Sequence, residues 1–234
     1  MLPSVTCHYL GEIDYKEAWE FQEKLFQEGI QQKIAIRNGE SSQPPQNHLI
    51  FCEHPHVFTL GKSGDRENLL IDQTELDDKE AQFYQINRGG DITYHGPGQL
   101  VVYPIFDLEQ FFTDIHKYMR YLEEAVIRTI AKYGVQGDRF DGLTGVWLEP
   151  STPQARKICA MGVKSSRWMT MHGIGFNVCT DLSYFNHIVP CGIQDKAVTS
   201  LEKELNQSVS VQEIIPLLLK ELSELFGFEI NEKA

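Results

Sequence analysis

The chain has 234 residues, of which 41% are hydrophobic and 23% are charged, as expected of a globular enzyme with a sizeable core. Its formal net charge of −12 at pH 7 argues against a nucleic-acid-binding protein, which needs basic stripes, and against binding to an anionic membrane surface. No segment is apolar for long enough to span a bilayer, and the first residues do not resemble a secretory signal, so we expect a cytoplasmic protein.

The first predicted elements are a strand and a helix. Weakly alternating residues predict a strand over 5–10. Asp14 followed by Glu17 resembles a capping box, and the apolar stripe after it predicts a helix that Gly29 closes. Polar residues with two adjacent prolines then predict a loop over 38–47.

Short strands and a charged segment follow this loop. Residues 48–52 and 57–60 predict two strands, and the glycine-containing residues 61–64 predict a turn. Residues 65–80 are strongly charged, so we expect an exposed loop or flap there. Residues 84–87 predict one more strand.

The centre of the chain predicts a buried strand and a long helix. The continuous apolar run over 100–106 is typical of a central strand that is covered on both faces. An apolar stripe predicts a helix over 115–133, with Thr113 or Asp114 as its cap and Gly134 as its stop.

The last third predicts three strands and a helix. We expect strands near 146–148, 158–163 and 170–177, followed by a helix over 210–226 that begins with a Ser-x-x-Glu capping box. Strands and helices therefore interleave along the chain. This order favours the α+β (or α/β) class, with a mixed central sheet flanked by helices. We expect one domain over 1–234, on which a helical C-terminal segment, 208–234, packs.

Three glycine-rich segments stand out, at 88–99, 171–175 and 190–193. Glycine lets a ligand approach the main chain closely. A tight turn explains each segment alone, but three such segments beside strands favour a pocket walled by backbone. The first segment lacks phosphate-loop spacing and precedes a strand instead of a helix, so it favours an acyl chain or thioester carbonyl over a pyrophosphate.

Cys191 is the best candidate nucleophile. The chain has five cysteines without paired spacing, which indicates reduced thiols. Pro190 fixes the approach of the chain to Cys191, and Gly192 leaves space behind the sulfur. The thiolate is the reactive form, and a free thiol has a pKa of roughly 8.5, so a nearby cation or base is needed. Lys157, in a strand-like run, is that candidate, although a buried thiol and a surface charge are the simpler explanation from the residues alone.

Other polar residues have two interpretations each. His95 and His172 flank glycines and are either acid–base groups or, as we favour, hydrogen-bonding supports for the glycine loops. Lys164 and Arg167 form either a basic patch for an acidic partner or ordinary charges at a strand end. The cysteine and histidines of 52–56 lack a second ligand pair, so we expect a strand end there and no metal site.

The segment 88–104, RGGDITYHGPGQLVVYP, resembles the signature of the LipB-type lipoyl(octanoyl) transferases of the biotin/lipoate protein ligase superfamily. Residues 53–61, the Lys157 run, His172-Gly173 and 190–193 occur in the order that this family has. The resemblance spans most of the chain.

This resemblance implies a cofactor-free enzyme with the biotin/lipoate ligase fold, acting as a monomer. It implies transfer of octanoyl from acyl carrier protein to the lysine of lipoyl domains, such as those of 2-oxoacid dehydrogenase E2 subunits and the glycine-cleavage H protein. It also implies that Cys191 carries the acyl thioester and that Lys157 lowers the pKa of Cys191. The implied substrate-binding residues are Arg88, Gly89, Gly90, Asp91, Ile92, Thr93, Tyr94, His95, Ala160, Met161, Gly162, His172, Gly173, Ile174 and Gly175. Asp91 and Gly175 depart from the residues commonest in the family, which leaves the acyl-chain preference open.

Backbone N–H groups of 160–162 or 173–175 would stabilise the oxyanion of such a transfer. Four alternatives remain from the sequence. Two are enzymes related to this family: an ATP-dependent lipoate or biotin ligase of the same fold, and a relative that moves acyl groups between carrier domains. The others are a non-catalytic module that binds acyl carrier or lipoyl domains, and a cysteine hydrolase. The hydrolase ranks lowest because no Asn or Asp is evident that would orient a Cys–His pair.

Overall fold

The computed structural model describes residues 2–189 and 197–231. In chain order its strands and helices are β1 (Ser4–Glu12), α1 (Tyr15–Arg37), β2 (Asn47–Glu53), β3 (Val57–Leu60), α2 (Gln73–Asp78), β4 (Gln82–Gln85), β5 (Ile92–His95), β6 (Gln99–Ile105), α3 (Ile115–Ala131), β7 (Val146–Leu148), β8 (Arg156–Ser166), β9 (Met169–Asn177), β10 (Ala197–Val198), α4 (Leu201–Leu205), α5 (Val211–Phe226) and β11 (Glu229–Asn231). Short 3₁₀ turns lie at Arg66–Asn68, Leu108–Gln110 and Leu182–His187.

Most strands belong to one mixed sheet. Within the described residues its strand order is β10–β8–β9–β6–β2–β1–β11, and β7 also pairs with β8. Strand β2 runs parallel to β1 and antiparallel to β6, which makes the sheet mixed. Strands β4, β3 and β5 form a smaller second sheet. The predicted fold class, a mixed sheet flanked by helices, is confirmed.

Helices cover both faces of the large sheet. Helix α1 packs in one apolar cluster with Val101 of β6 and Met171 of β9. Helices α3 and α5 pack in another cluster with Val102 of β6 and Ile174 of β9, which lie on the opposite face of the sheet. Because side chains alternate along a strand, sequence parity decides which helix layer a residue of β6 or β9 meets. Every residue of β9 is buried.

Side-chain caps begin the long helices where the sequence predicts them. Asp14 accepts a hydrogen bond from the Lys16 amide at 2.8 Å, at the start of α1. Asp114 accepts one from the Lys117 amide at 2.9 Å, at the start of α3. Ser210 opens α5 with a reciprocal capping box. Each cap satisfies N–H groups that the first helical turn cannot pair internally.

The predicted end of α1 at Gly29 is wrong. The helix continues to Arg37, and Ile30 and Ile34 extend its apolar stripe against the sheet. Gly29 lies against the side chain of Met169, so that a Cβ at this position would collide with it. The glycine therefore permits close packing of helix on strand and does not stop the helix.

Two other segments differ from the sequence prediction. Residues 65–80 include helix α2, which has its own capping box and buries Leu76, so they are not simply a loop. Strand β4 begins two residues before the predicted strand at 84–87 and pairs in parallel with β3. The C-terminal segment is not helical throughout, because β11 adds to the sheet edge parallel to β1.

Candidate active site

A cavity of about 520 Å³ lies between the loop that precedes β5 and the strands β8 and β9. The predicted site residues that line it are Arg88, Gly89, Gly90, Asp91, Ile92, Thr93, His95, Lys157, Ala160, Met161, Gly162, His172, Gly173, Ile174 and Gly175. Two of the three glycine-rich segments thus meet at one place, although they are far apart in sequence. Residues 190–193, the third segment, lie outside the described residues.

Small residues on β8 and β9 make room for this cavity. Gly162 is the register partner of Gly173, and Ala160 is the partner of Gly175. A Cβ on Gly162 would lie 2.8 Å from the carbonyl oxygen of Gly89, closer than atoms can approach without displacement. The absence of a side chain at Gly162 therefore lets the loop of Gly89 lie directly on the strand.

Arg88 holds this loop in place from a buried position. Its Nη2 donates to the carbonyl oxygen of Thr59 at 2.8 Å and to Thr59 Oγ1 at 3.0 Å. Its Nη1 donates to the Gly89 carbonyl oxygen at 3.0 Å. The guanidinium therefore ties the loop to β3 and places a fixed positive charge beside the cavity.

His95 has a defined tautomer. The side-chain Nε2 of Gln99 donates to the carbonyl oxygen of Tyr94 at 3.1 Å and to Asn177 Oδ1 at 2.8 Å. Gln99 Oε1 is therefore an acceptor, and His95 Nδ1, which lies 2.6 Å from it, carries the proton. Burial, with smaller contributions from His54 and Arg88, lowers the pKa of His95 to about 3. The ring is neutral at physiological pH and leaves Nε2 as an acceptor.

His172 lies in β9 with an unusual backbone conformation. Its φ of 60° is in the left-handed region, which costs a residue with a side chain about 1–3 kcal/mol. Gln22 of α1 supports it by accepting a hydrogen bond from the His172 amide at 3.1 Å. Burial, with Arg88 and Lys164 nearby, lowers the pKa of His172 to about 3. Both histidine rings are therefore neutral near neutral pH, which favours a supporting role over an acid–base role.

Lys157 lies on β8 between two short strands. Its register partners are Trp147 of β7 and Val198 of β10. The ammonium nitrogen lies 4.7 Å from the centroid of the Trp147 ring, which is favourable for a cation. Phe185 and Val198 also line the cavity, so the described chain reaches it from both sides of the segment 190–196. The predicted partner Cys191 belongs to that segment and lies outside the described residues.

The family profile named lipoyl protein ligase A/B catalytic domain matches residues 14–223. The chain belongs to this family. It is 60% identical to an octanoyltransferase from Cytophaga hutchinsonii, over 97% of this chain and 95% of that protein. It is 59% identical to an octanoyltransferase from Flavobacterium johnsoniae, over 98% of this chain and all of that protein.

Solved structures of this family share the fold. A bipartite lipoate protein ligase from Thermoplasma acidophilum superposes with a TM-score of 0.72 and 17% identity, covering 100% of this chain and 87% of that one. A lipoate-protein ligase A bound with ATP gives a TM-score of 0.70 and 16% identity, covering 100% of this chain and 89% of that one. These likenesses establish the family fold in this chain.

Sequence analysis did not identify several residues that line the cavity. Tyr15 contributes from the start of α1 and Tyr103 from the α1 face of the sheet. Ile115 and Met119 contribute from α3, and Leu143 from the loop that precedes β7. Tyr103 could have been found from the alternation of side chains along the central strand, which places it on the face opposite Val102. Tyr94, which was expected in the site, is instead buried away from the cavity, where its ring stacks on Tyr184 at 4.9 Å.

The cysteines that the structure describes are poor nucleophiles. Burial raises the thiol pKa of Cys7, Cys52, Cys159 and Cys179 above the ordinary value. None of the four lines the cavity. A raised pKa keeps a thiol protonated near neutral pH and so makes it unreactive.

The remaining polar candidates have structural partners. His54 bridges the Ile13 carbonyl and the Tyr103 hydroxyl, both at 2.8 Å, and residues 2–189 and 197–231 contain no group of three or more potential metal ligands. Lys164 pairs with Glu23 at 3.3 Å, and Arg167 lies in the turn between β8 and β9. Across the described helices, none has the length and hydropathy required to cross a membrane.

Proposed function

We propose that this chain is an acyltransferase that moves an octanoyl group from an acyl carrier protein thioester to a lysine of a lipoyl domain, through a thioester on Cys191. The observation that carries the proposal is the cavity in which Lys157 lies together with the glycine-rich segments of the loop and of β8 and β9. The relatives at 60% and 59% identity carry the name octanoyltransferase, which supports the acyl group.

The first half-reaction exchanges one thioester for another. The ammonium of Lys157 stabilises the Cys191 thiolate, which adds to the carbonyl carbon of the donor. The new carbon–sulfur bond forms as the carbonyl electron pair moves to oxygen. When that pair returns, the bond to the carrier sulfur breaks and the carrier thiolate takes up a proton. Because one thioester replaces another, the step needs no activation by ATP.

The second half-reaction forms an amide. The lysine of the acceptor attacks as a free amine, and a free lysine has a pKa of about 10.4, so a base must take a proton. Lys157, once neutral, is our candidate for this base, since the low pKa values of His95 and His172 make both poor proton acceptors. The amide forms, the bond to Cys191 sulfur breaks, and the enzyme thiol is regenerated.

Several features support an acyl chain as the occupant of the cavity. The floor is built from Ala160, Gly162, Gly173 and Gly175, which expose main chain and little polar side chain. The guanidinium of Arg88, which lines the cavity, already donates to the carbonyl oxygens of Thr59 and Gly89. A cavity whose floor is backbone and small apolar residues suits a saturated chain better than a polyanion.

Intact-protein mass spectrometry after mixing with octanoyl acyl carrier protein tests the proposal. We expect an increase in mass equal to one octanoyl group, lost again when a lipoyl domain is added. Cys191→Ala should abolish the adduct, and Cys179→Ala should retain it because that thiol lies outside the cavity. An adduct that persists in Cys191→Ala would contradict the assignment.

Three further assays separate the rival reactions. An ATP-dependent ligase would show exchange of pyrophosphate into ATP with free octanoate and would not need Cys191. A non-catalytic binding module would retain lipoyl-domain binding with no adduct. A hydrolase would release free octanoate when a lipoyl domain is present.

We further propose that the acceptors are lipoyl domains of 2-oxoacid dehydrogenase E2 subunits and of the glycine-cleavage H protein, and that the reaction takes place in the cytoplasm. We also propose that the chain is a single catalytic domain, because helices α3 and α5 share one apolar cluster. Modification assays with each purified lipoyl domain would rank the acceptors.

A further inference from the structure

The backbone direction of β8 can be assigned residue by residue. In β9, the Thr170 amide donates to Phe106 and the Val178 amide to Gly98, so even-numbered residues of β9 point their N–H and C=O groups toward the β6 side. Odd-numbered residues of β9 therefore point toward β8. Because Gly175 pairs with Ala160 and Gly173 with Gly162, the even-numbered residues of β8 use their backbone groups in the ladder with β9.

From Cys159 onward, odd-numbered residues of β8 must point away from β9, and two independent contacts agree. Cys159 pairs with Val146 of β7. The Val163 carbonyl oxygen accepts from the Gly89 amide at 2.9 Å. The outer edge of β8 is thus covered at Cys159 and at Val163.

Met161 occupies the gap between these covered positions. Strand β7 pairs no further along β8 than Cys159, and the loop of Gly89 contacts the edge at Val163, so no described strand pairs with the outer edge at Met161. Met161 is only partly buried and lines the cavity. Its N–H and C=O groups therefore point away from β9 at a position that borders the cavity and that no described strand covers.

We propose that the backbone N–H of Met161 donates the hydrogen bond that stabilises the oxyanion during acyl transfer, an inference that rests on the proposed function. As the sulfur adds to the thioester carbonyl carbon, the carbonyl electron pair moves to oxygen and this N–H donates to it. The pair returns as the bond to the leaving sulfur breaks, and the leaving thiolate takes up a proton. When the lysine amine attacks the acyl-enzyme, the same N–H stabilises the second tetrahedral intermediate.

Parity excludes the neighbouring candidates. The amides of Ala160 and Gly162 are used in the ladder with β9, and so are those of Gly173 and Gly175. The amide of Gly89 is used by the Val163 carbonyl oxygen. A donor that is already fixed in the strand costs no reorganisation during the reaction, which is the property that makes such groups effective.

The matched test compares two proteins with leucine at position 161. In one, Met161→Leu, the leucine is joined through the normal amide; in the other, made with the α-hydroxy analogue of leucine, it is joined through an ester. The two share the side chain and differ in the N–H and in a weaker ester carbonyl one residue earlier, at Ala160. Met161→Pro is a simpler version, since proline removes an N–H that takes no part in the ladder.

We expect the ester protein to form and to transfer the acyl group about 10²–10³-fold more slowly than the amide protein, the loss typical for one oxyanion donor. The alkylation rate of Cys191 and the KM for the donor should stay the same, because the N–H acts on the transition state alone. Thermal unfolding of both proteins controls for the weaker Ala160 carbonyl in the ladder.

Two results would overturn the inference. One is an ester protein whose two half-reactions stay within about threefold of those of the amide protein. The other is a raised KM with unchanged kcat, which would show that the N–H of Met161 binds the acyl donor and does not act on the transition state. If the unsubstituted protein formed no acyl-enzyme at all, the proposed function would fail instead, so the two failures are distinguishable.

Discussion

The contact between Gly162 and Gly89 gives the sharpest prediction for substitution. A Cβ added at Gly162 would lie 2.8 Å from the Gly89 carbonyl oxygen and 3.2 Å from Arg88 Cδ. The first neighbour is main chain, and the Gly89 amide is fixed to Val163 at 2.9 Å, so the loop must shift as a unit. We expect Gly162→Ala to cost about 1–3 kcal/mol of unfolding free energy, the usual penalty for overpacking.

Gly175→Ala is the matched control for this prediction. Its added Cβ would lie 3.1 Å from Gln99 Oε1 and 3.4 Å from His95 Cε1, which are side-chain atoms at distances that need little adjustment. For a chain of this length, each kcal/mol corresponds to about 2–4 °C in the midpoint of thermal unfolding. We therefore expect Gly162→Ala to unfold about 2–12 °C below Gly175→Ala.

Activity should separate the same pair. Displacing the loop in Gly162→Ala should lower kcat/KM for octanoyl carrier protein by about 10-fold or more, since misplacement of about 1 Å can cost 10²-fold. Gly175→Ala should retain turnover and move the preferred acyl chain toward shorter lengths. Calorimetry and acyl-transfer assays on both proteins measure this. Equal midpoints and equal rates would show that the Gly89 loop does not depend on the bare strand at Gly162.

Three further predictions follow from the charged and titratable groups. Lys157→Met should slow alkylation of Cys191 at neutral pH and shift the rate profile to higher pH; an unmoved profile would exclude the pairing. Because the pKa of His95 is lowered to about 3, its contribution to stability is complete above about pH 6.5 and is lost as pH falls toward 3, by up to about 1.4 kcal/mol per pH unit. His95→Gln should therefore flatten the decline of the unfolding midpoint between pH 6.5 and 4, and an identical slope would refute the burial argument. Glu123 is fully buried and accepts the Gly145 amide at 3.0 Å, so Glu123→Gln should loosen the adjoining cavity loop and raise KM more than it lowers kcat, as steady-state kinetics would show.

The fold could be predicted largely because its signals are local. The caps at Asp114 and Ser210 depend on residues three positions apart, and the apolar run at 100–106 identifies a strand covered on both faces. The role of Gly29 was predicted wrongly because a helix stop and a close packing contact both favour glycine. The difference depends on Met169, which is distant in sequence.

The site could be predicted only in part. Glycine-rich motifs identified the loop and the two strands, because those positions need main-chain exposure that only small residues allow. The conformation of His172 depends on Gln22 in α1, and the tautomer of His95 depends on Asn177 through Gln99. No local pattern carries such information, since each depends on a partner that the fold brings from another layer.

The two faces of the large sheet contribute different kinds of residue to the cavity, and this difference has a practical consequence for redesign. On the α1 side, the cavity wall is mostly main chain and neutral supporting rings, so mutagenesis there would disturb alignment before it changed selectivity. Ile115 and Met119 of α3, with Leu143 of the loop before β7, line the same cavity with ordinary apolar side chains. Libraries aimed at longer, shorter or branched cargo should therefore vary these three positions first.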